Sequence, residues 1–371
     1  MNKEIYLDAP NLGEEEKKYL IEAVDTNYVS TIGPFVGRFE KIFAETINVP
    51  EAVSLQSGTA ALHMALHELD ICEGDEVIVP ALTFIASVNP IIYVRATPVF
   101  VDVDPVTWNI DPEEMEKAIT PRTRAVIITH LYGNPCDMDS IMNIAEKHGI
   151  HVIEDSTESL GATYEDSFTG AFGEYGCFSF NGNKIITTGG GGMITGKNRE
   201  SLKRIRHLIN QARDKSRGYY CTDVGFNYRM TNIEAALGLA QIAKLKGFLE
   251  KKRMYHKIYE EELGGIPGVN LQKEPEGAES SFWLNCLAFE KPVDVEEIRK
   301  QLKERNIQSR LLFPPLIDLP PYEKYNDKDF TISRKLFQRG LCLPGSTLNS
   351  EEDIRRVCSV FKEICGQMKI L

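Results

Sequence analysis

From residue 53 to residue 155 the chain alternates short apolar runs with stretches of helical spacing. Val53 to Leu55, Glu76 to Pro80 (EVIVP), Pro98 to Val103 (PVFVDV), Arg124 to His130 (RAVIITH) and His151 to Asp155 (HVIED) read as strands, rich in Val and Ile. Helices are expected over 59–69, in the stretch through Ile91, and over 112–119 and 138–147, with Pro112 in a first turn. Such alternation requires crossover connections, hence a largely parallel sheet with helices on both faces. The strands show no period-two alternation, as expected of a sheet buried on both sides.

Two further strands, Cys177 to Phe180 and Gly192 to Thr195, should flank a glycine-rich turn, and 232–263 should form one long helix. Gly264-Gly265-Ile266-Pro267-Gly268 reads as a hinge. Beyond it come a strand at 282–289, an amphipathic helix at 295–305 and a closing helix at 350–369. The expected fold class is α/β. Residues 1–250, with the N-terminal segment, would form a large domain holding the mostly parallel sheet, and 251–371 a small α+β domain. The first thirty or so residues could pack on either.

Composition narrows the function. With 371 residues, 42% hydrophobic and 26% charged, the chain has the apolar surface for a sizeable core. A net charge of −12 argues against sequence-independent nucleic-acid binding, which needs a basic footprint. It leaves room for a phosphate held by backbone amides. No apolar run suits a transmembrane helix or secretory signal, and the eight scattered cysteines suit free thiols in a reducing cytoplasm. No metal site is expected: His63 and His67 stand four apart, but among Ala and Met on a helix face.

In parallel α/β sheets ligands gather beyond the carboxyl ends of the strands, and three polar features stand there. Ser57-Gly58-Thr59 links a strand to a helix; it suits an anion at a helix N-terminus, or plain capping. Asp155 ends its strand after buried residues; it suits a cationic partner such as a pyridinium N–H, or a turn cap with Ser156-Thr157. Lys184 lies in a polar turn between apolar strands, where removal from water would make it a Schiff-base nucleophile; alone, it would read as a solvated loop lysine. The glycines at 189–192 match neither GxGxxG nor the Walker order, so a P-loop is rejected; packing beside a planar ligand is expected instead.

Taken together the residues resemble the DegT/DnrJ/EryC1/StrS family of pyridoxal phosphate (PLP)-dependent sugar aminotransferases, of fold type I. The matching runs are SGTAALHMAL at 57–66, PALTFIASVNP at 80–90, TPVFVDVD at 97–104, HLYGNP at 130–135, FSFNGNKIITTGGGGM at 178–193 and GFNYRMTNIEAALGLAQ at 225–241. The resemblance implies that Lys184 carries PLP covalently and shuttles the proton, and that Asp155 pairs with the pyridinium nitrogen. It implies that Phe84 stacks on the ring, though a core phenylalanine is the other reading. Ser57, Gly58, Thr59 and Ser179 would cradle the phosphate. Asn227 would reach the phosphate of a neighbouring subunit, making a homodimer with composite sites.

Glu158 stands where many members have Gln near the cofactor's 3′-oxygen. This, with NGNKIITTGGGGM, is similar to the branch acting at C4 of 4-keto-6-deoxy nucleotide sugars. UDP-2-acetamido-2,6-dideoxy-hexos-4-ulose, of bacillosamine and legionaminic acid synthesis, is the favoured acceptor, with L-glutamate as donor. The alternatives are GDP-4-keto-6-deoxymannose, as in perosamine synthases, and a silent nucleotide-sugar-binding regulator. The related dehydratases carry His in place of the Schiff-base lysine, so Lys184 argues against that branch. Ser309-Arg310-Leu311 departs from the family's usual Thr-Arg-Pro. Tyr28, Ser30, Thr31, His207 and Arg310 are candidates for touching the sugar or its diphosphate.

Overall fold

The computed structural model describes residues 3–326 and 328–370. A seven-stranded sheet forms its centre, in the order Ala52–Leu55, Gly192–Gly196, Tyr175–Ser179, His151–Asp155, Thr123–Thr129, Glu76–Pro80, Thr97–Val101. All neighbours pair in parallel except Gly192–Gly196, which runs antiparallel to both of its partners. The absence of alternation in the sequence has its cause here. Val77, Val79, Ala125, Ile127 and Ile153 pack toward the helix Gly58–Glu68, while Ile78, Val126, Ile128 and Val152 pack toward the helix Met138–His148. Both faces are core, so every position wants an apolar side chain.

Several expected elements need correction. The region 232–263 is two helices, Asn232–Ile242 and Leu245–Leu263, interrupted at Ala243-Lys244. The stretch through Ile91 is a turn, a single 3-10 turn Ile85–Ser87 and the short helix Asn89–Tyr93. That break leaves Phe84 in extended backbone, with φ −74° and ψ 143°. The strand expected at 282–289 begins only at Asn285, because Phe282 has φ +45°. Two helices near the N-terminus, Glu14–Asp25 and Pro34–Thr46, add to the expected elements. Both pack on Asn232–Ile242, whereas Ile5 joins the core of the C-terminal part and pairs with Ile307. The N-terminal segment thus divides between the two cores.

The C-terminal part has its own antiparallel sheet, in the order Val269–Leu271, Asn285–Phe289, Gly340–Leu343, Arg310–Leu311. Its core includes Tyr255, Tyr259, Ile298, Leu302, Val357 and Phe361. Leu245–Leu263 spans both bodies: Phe248 and Leu249 lie in the core beside the large sheet, Tyr255 and Tyr259 in the other. Here Cys286 and Cys342 face each other across two strands with sulfurs 3.4 Å apart, both as free thiols.

One buried carboxylate organises the loops above the sheet. Glu154, fully buried, accepts from the amides of Gly170 (2.6 Å), Phe172 (2.7 Å) and Gly173 (2.7 Å). His130 takes the Cys136 amide on Nδ1 (3.0 Å), so its Nε2 bears the proton and donates to Glu154 (3.1 Å). Truncation would leave four donors, three of them buried, without this acceptor. Glu154→Ala should therefore lose about 3 kcal/mol or more in chemical denaturation; an unchanged midpoint would contradict this reading.

Candidate active site

The carboxyl ends of four strands converge on one cavity of about 260 Å³, lined by Ser57, Gly58, Thr59, Phe84, Glu158, Ser179 and Lys184 among others. The convergence is topological. Ala52–Leu55, Glu76–Pro80, His151–Asp155 and Tyr175–Ser179 all end on this side of the sheet, and each is followed by one of these residues.

Ser57 caps the helix Gly58–Glu68, its hydroxyl accepting from the Ala60 amide at 3.1 Å. The first-turn amides of Gly58 and Thr59 have no intrahelical acceptor, and both residues line the cavity. Capping and anion readiness thus coexist. A Cβ on Gly58 would meet Thr157 Cγ2 at 2.7 Å, and one on Gly192 would come within 2.4 Å of the Ser57 carbonyl carbon. Of the glycines at 189–192, Gly192 thus packs against the chain's own strand–helix turn, while Gly190 and Gly191 line the cavity.

Asp155 is not among the residues lining the cavity; it is 2% exposed, with Oδ2 accepting from the Ser87 hydroxyl at 2.6 Å and Oδ1 from the amide of Thr157, which does line it, at 3.1 Å. Phe84 is 51% exposed and its ring lies 5.5 Å from that of Phe313, so the core reading of this residue fails. Lys184 Nζ stands 3.7 Å from Glu158 Oε1 and 3.9 Å from the centre of the Trp283 ring. Burial lowers the proton affinity of its amine; Glu158 and Asp155 oppose that, and Arg310 adds to it. Glu158 is buried and takes the Tyr132 amide at 2.8 Å. Desolvation raises its carboxyl above the usual range, against the pull of Lys184.

Arg310 also lines this cavity, its guanidinium 4.7 Å from the Phe313 ring centre and 5.4 Å from that of Trp283. Its Nε and Nη2 are buried without an acceptor among the described residues. Trp283, Phe313, Asn183 and Thr157 also belong to the wall. Thr157 and Asn183 adjoin residues the sequence singled out, but Trp283 and Phe313 carried no local signal, because the chain returns about a hundred residues after Lys184 to bring them here.

Other candidates lie elsewhere in the chain. Thr31 and His207 line a second cavity of about 590 Å³ with Arg206, Arg213 and Arg229. His207 Nε2 is 2.8 Å from the Thr222 hydroxyl. The Nε of Arg229 is buried without a partner among the described residues, and burial, then Arg213, weaken its hold on its proton. Tyr28 and Ser30 meet Asn232 through their carbonyls, at 2.8 and 2.6 Å. Asn227 is exposed, bridged to Asn210, and outside the cavity that holds Lys184.

The donor set fits a phosphorylated pyridine aldehyde: free first-turn amides, an exposed aromatic face, a buried carboxylate and a desolvated amine. Comparison with known proteins agrees. Residues 10–362 match the DegT/DnrJ/EryC1/StrS aminotransferase family, and the chain belongs to it. It is 41% identical to a GDP-perosamine synthase of Caulobacter vibrioides, over 97% of this chain and 98% of that one. Spr1654 from Streptococcus pneumoniae in its PLP form superposes with a TM-score of 0.93 at 28% identity, covering 99% and 100% of the two chains. DesI, solved in the presence of its TDP-sugar product, gives 0.90 at 28% identity over 98% and 93%. The protein is a PLP-dependent sugar aminotransferase of fold type I.

A lysine amine attacks an aldehyde only when neutral. The Glu158 carboxylate favours the charged form, so its neutralisation should ease deprotonation of Lys184. In Glu158→Gln the pH midpoint for reaction of the amine with added PLP should fall by about one unit. Absorbance titration reads this, and an unmoved midpoint would remove Glu158 from that role.

Proposed function

We propose that the protein transfers the amino group of L-glutamate to C4 of a nucleotide-linked 4-keto-6-deoxy sugar, with UDP-2-acetamido-2,6-dideoxy-hexos-4-ulose as acceptor. The observation that carries it is the Lys184 amine, desolvated between Glu158 and Trp283 at the edge of a cavity, with the buried Asp155 carboxylate near enough to act on its charge. Glu158 in place of the family's usual Gln supports action at C4. A GDP-linked acceptor, 4-keto-6-deoxymannose, is the second reading, favoured by the likeness to the Caulobacter GDP-perosamine synthase along nearly the whole chain.

Bound PLP supplies an electron-withdrawing ring that carries the amino group from donor to acceptor. Lys184 anchors it and moves the protons, taking one from Cα of glutamate and delivering one to C4 of the sugar. Burial lowers the proton affinity of this amine and the carboxylates of Glu158 and Asp155 raise it, opposing influences on the group that takes and gives the protons. Asp155, held by Ser87 and Thr157, balances positive charge on the ring nitrogen. Gly58, Thr59 and Ser179 hold the phosphate, Phe84 covers the ring, and the Arg310 guanidinium, whose Nε and Nη2 lack an acceptor among the described residues, meets the anionic part of the substrate.

The working unit is a homodimer. Tyr219 is 88%, Val224 80% and Ile32 71% exposed, more apolar surface than a solvated face needs. A second copy would cover it and bring Asn227 to the neighbouring phosphate. The cavity of Thr31, His207, Arg213 and Arg229 would then offer cations to the sugar's diphosphate from across the interface.

Purified protein should absorb in the visible through its lysine-bound cofactor, and glutamate should bleach the band. Amination of the UDP- and GDP-linked ketones, with products resolved by mass, decides the acceptor. A preparation that stays colourless in added PLP would sink the enzymatic reading. Lys184→Ala should abolish turnover. Co-expressed with Asn227→Ala it should regain activity through mixed dimers that hold one intact site; failure to complement would remove Asn227 from the neighbour's site.

A further inference from the structure

The indole of Trp283 makes two contacts with the lysine segment. Its Nε1–H donates to the carbonyl of Asn183, the residue before Lys184, at 2.7 Å. Its ring face lies 3.9 Å from Lys184 Nζ. Among the described residues Nζ makes no hydrogen bond within 3.5 Å, and its ion pair with Glu158 is stretched to 3.7 Å. The amine therefore rests on an aromatic surface. An ordinary buried lysine instead finds carbonyl or carboxylate acceptors for its protons.

The indole is itself fixed. Trp283 is 1% exposed and its ring stacks on that of Tyr132 at 6.4 Å and 26°. Its carbonyl accepts from Nζ of Lys252 at 3.1 Å, and the same ammonium donates to the Gly345 carbonyl at 2.9 Å. A Cβ at Gly133 (φ +101°) would come within 2.7 Å of the Trp283 nitrogen, so a glycine there lets this segment approach. On the far side Asn183 Nδ2 donates to Asp8 Oδ2 at 3.0 Å. The peptide carrying Lys184 is thus gripped from both sides by segments distant in sequence.

We propose that Trp283 is a positioning residue for Lys184: its N–H fixes the peptide before the lysine, and its ring aims the amine into the cavity and keeps water from it. The inference rests on the reading of Lys184 as the PLP lysine. Four charged groups act on the amine: Glu158, Asp155 and Asp8 favour the ammonium, while Arg310 disfavours it. Without the ring, water would solvate the ammonium and the side chain could close onto Glu158. Both effects hold the proton more firmly and turn the amine from the cavity. The ring's own attraction for a cation opposes this, but burial is the larger influence on this amine.

The test is the rate at which PLP binds covalently to cofactor-stripped protein, followed by absorbance across pH, with thermal melts as a control on folding. Trp283→Phe keeps a ring and loses the N–H. It should slow attachment about tenfold, the equivalent of one buried hydrogen bond, with little change in the pH midpoint. Trp283→Leu loses both contacts; it should be slower still, with the midpoint displaced to higher pH. A merely structural role would lower the melting temperature and leave the midpoint where it is, and that result overturns the proposal. Wild-type attachment rates in both variants also overturn it. Should Trp283→Leu fail to fold, the Trp283→Phe rate decides alone. Wild-type protein that never gains the band overturns the assignment of Lys184 and this inference with it; a wild-type band with unaffected variants overturns only the role of Trp283.

Discussion

A lysine amine has to be held out of water without being neutralised by an ion pair, and much of the site's construction serves that condition. Nζ of Lys184 has Glu158 at 3.7 Å and an indole face at 3.9 Å, so neither full solvation nor a tight salt bridge settles its proton. Closer contact with the carboxylate would favour a permanent ammonium; a fully apolar setting would leave no ready source of protons. The carboxylate is restrained in turn, because its other oxygen is engaged by the Tyr132 amide. Tyr132 takes a left-handed backbone, φ +58°, deep in the core. Its hydroxyl accepts from the Phe313 amide, and its ring lies between those of Phe313 and Trp283. Strain at that residue is offset by a full set of partners.

The large sheet makes this arrangement affordable. Its strands bury both faces, so their ends are fixed by packing on two sides, and polar side chains just beyond them inherit that rigidity. Asp155 shows the result: a buried carboxylate whose two oxygens are held by Ser87 and Thr157. Its neighbour in sequence, Glu154, points to the opposite face and ties the 170–173 loop. Two adjacent acids thus hold separate sets of hydrogen bonds, because successive residues of a strand face opposite ways.

The alternation of apolar runs with helical stretches, and the polar residues at the ends of those runs, made the parallel sheet and the Ser57, Asp155 and Lys184 positions readable. These signals are local: a strand, its terminal carboxylate and the following cap fall within a few residues. The helix Glu14–Asp25 is mostly polar and owes its place to packing on Asn232–Ile242, whereas Pro34–Thr46 carries Phe35, Phe39 and Phe43 at helical spacing behind Pro34, a signal that was legible. The break at Ala243-Lys244 escaped notice, since neither residue is a helix breaker. Phe84 was ambiguous, as apolar neighbours suit a core and a cavity wall equally.

By itself, then, the sequence determined the fold class, the family and the identity of the residues at the strand ends, since short-range patterning and ordered motifs carry that information. Only the tertiary structure decided which side chains meet around the amine. Trp283, Phe313 and Arg310 reach the cavity through the second sheet and its loops, and Lys252 steadies Trp283 from a helix shared by both cores. It also separated Thr31, His207 and Asn227 from the cavity of their own chain. The reason is physical: the proton affinity of Lys184 depends on what excludes water from it and which charges stand within a few ångströms. Those neighbours come from segments whose approach no local pattern encodes.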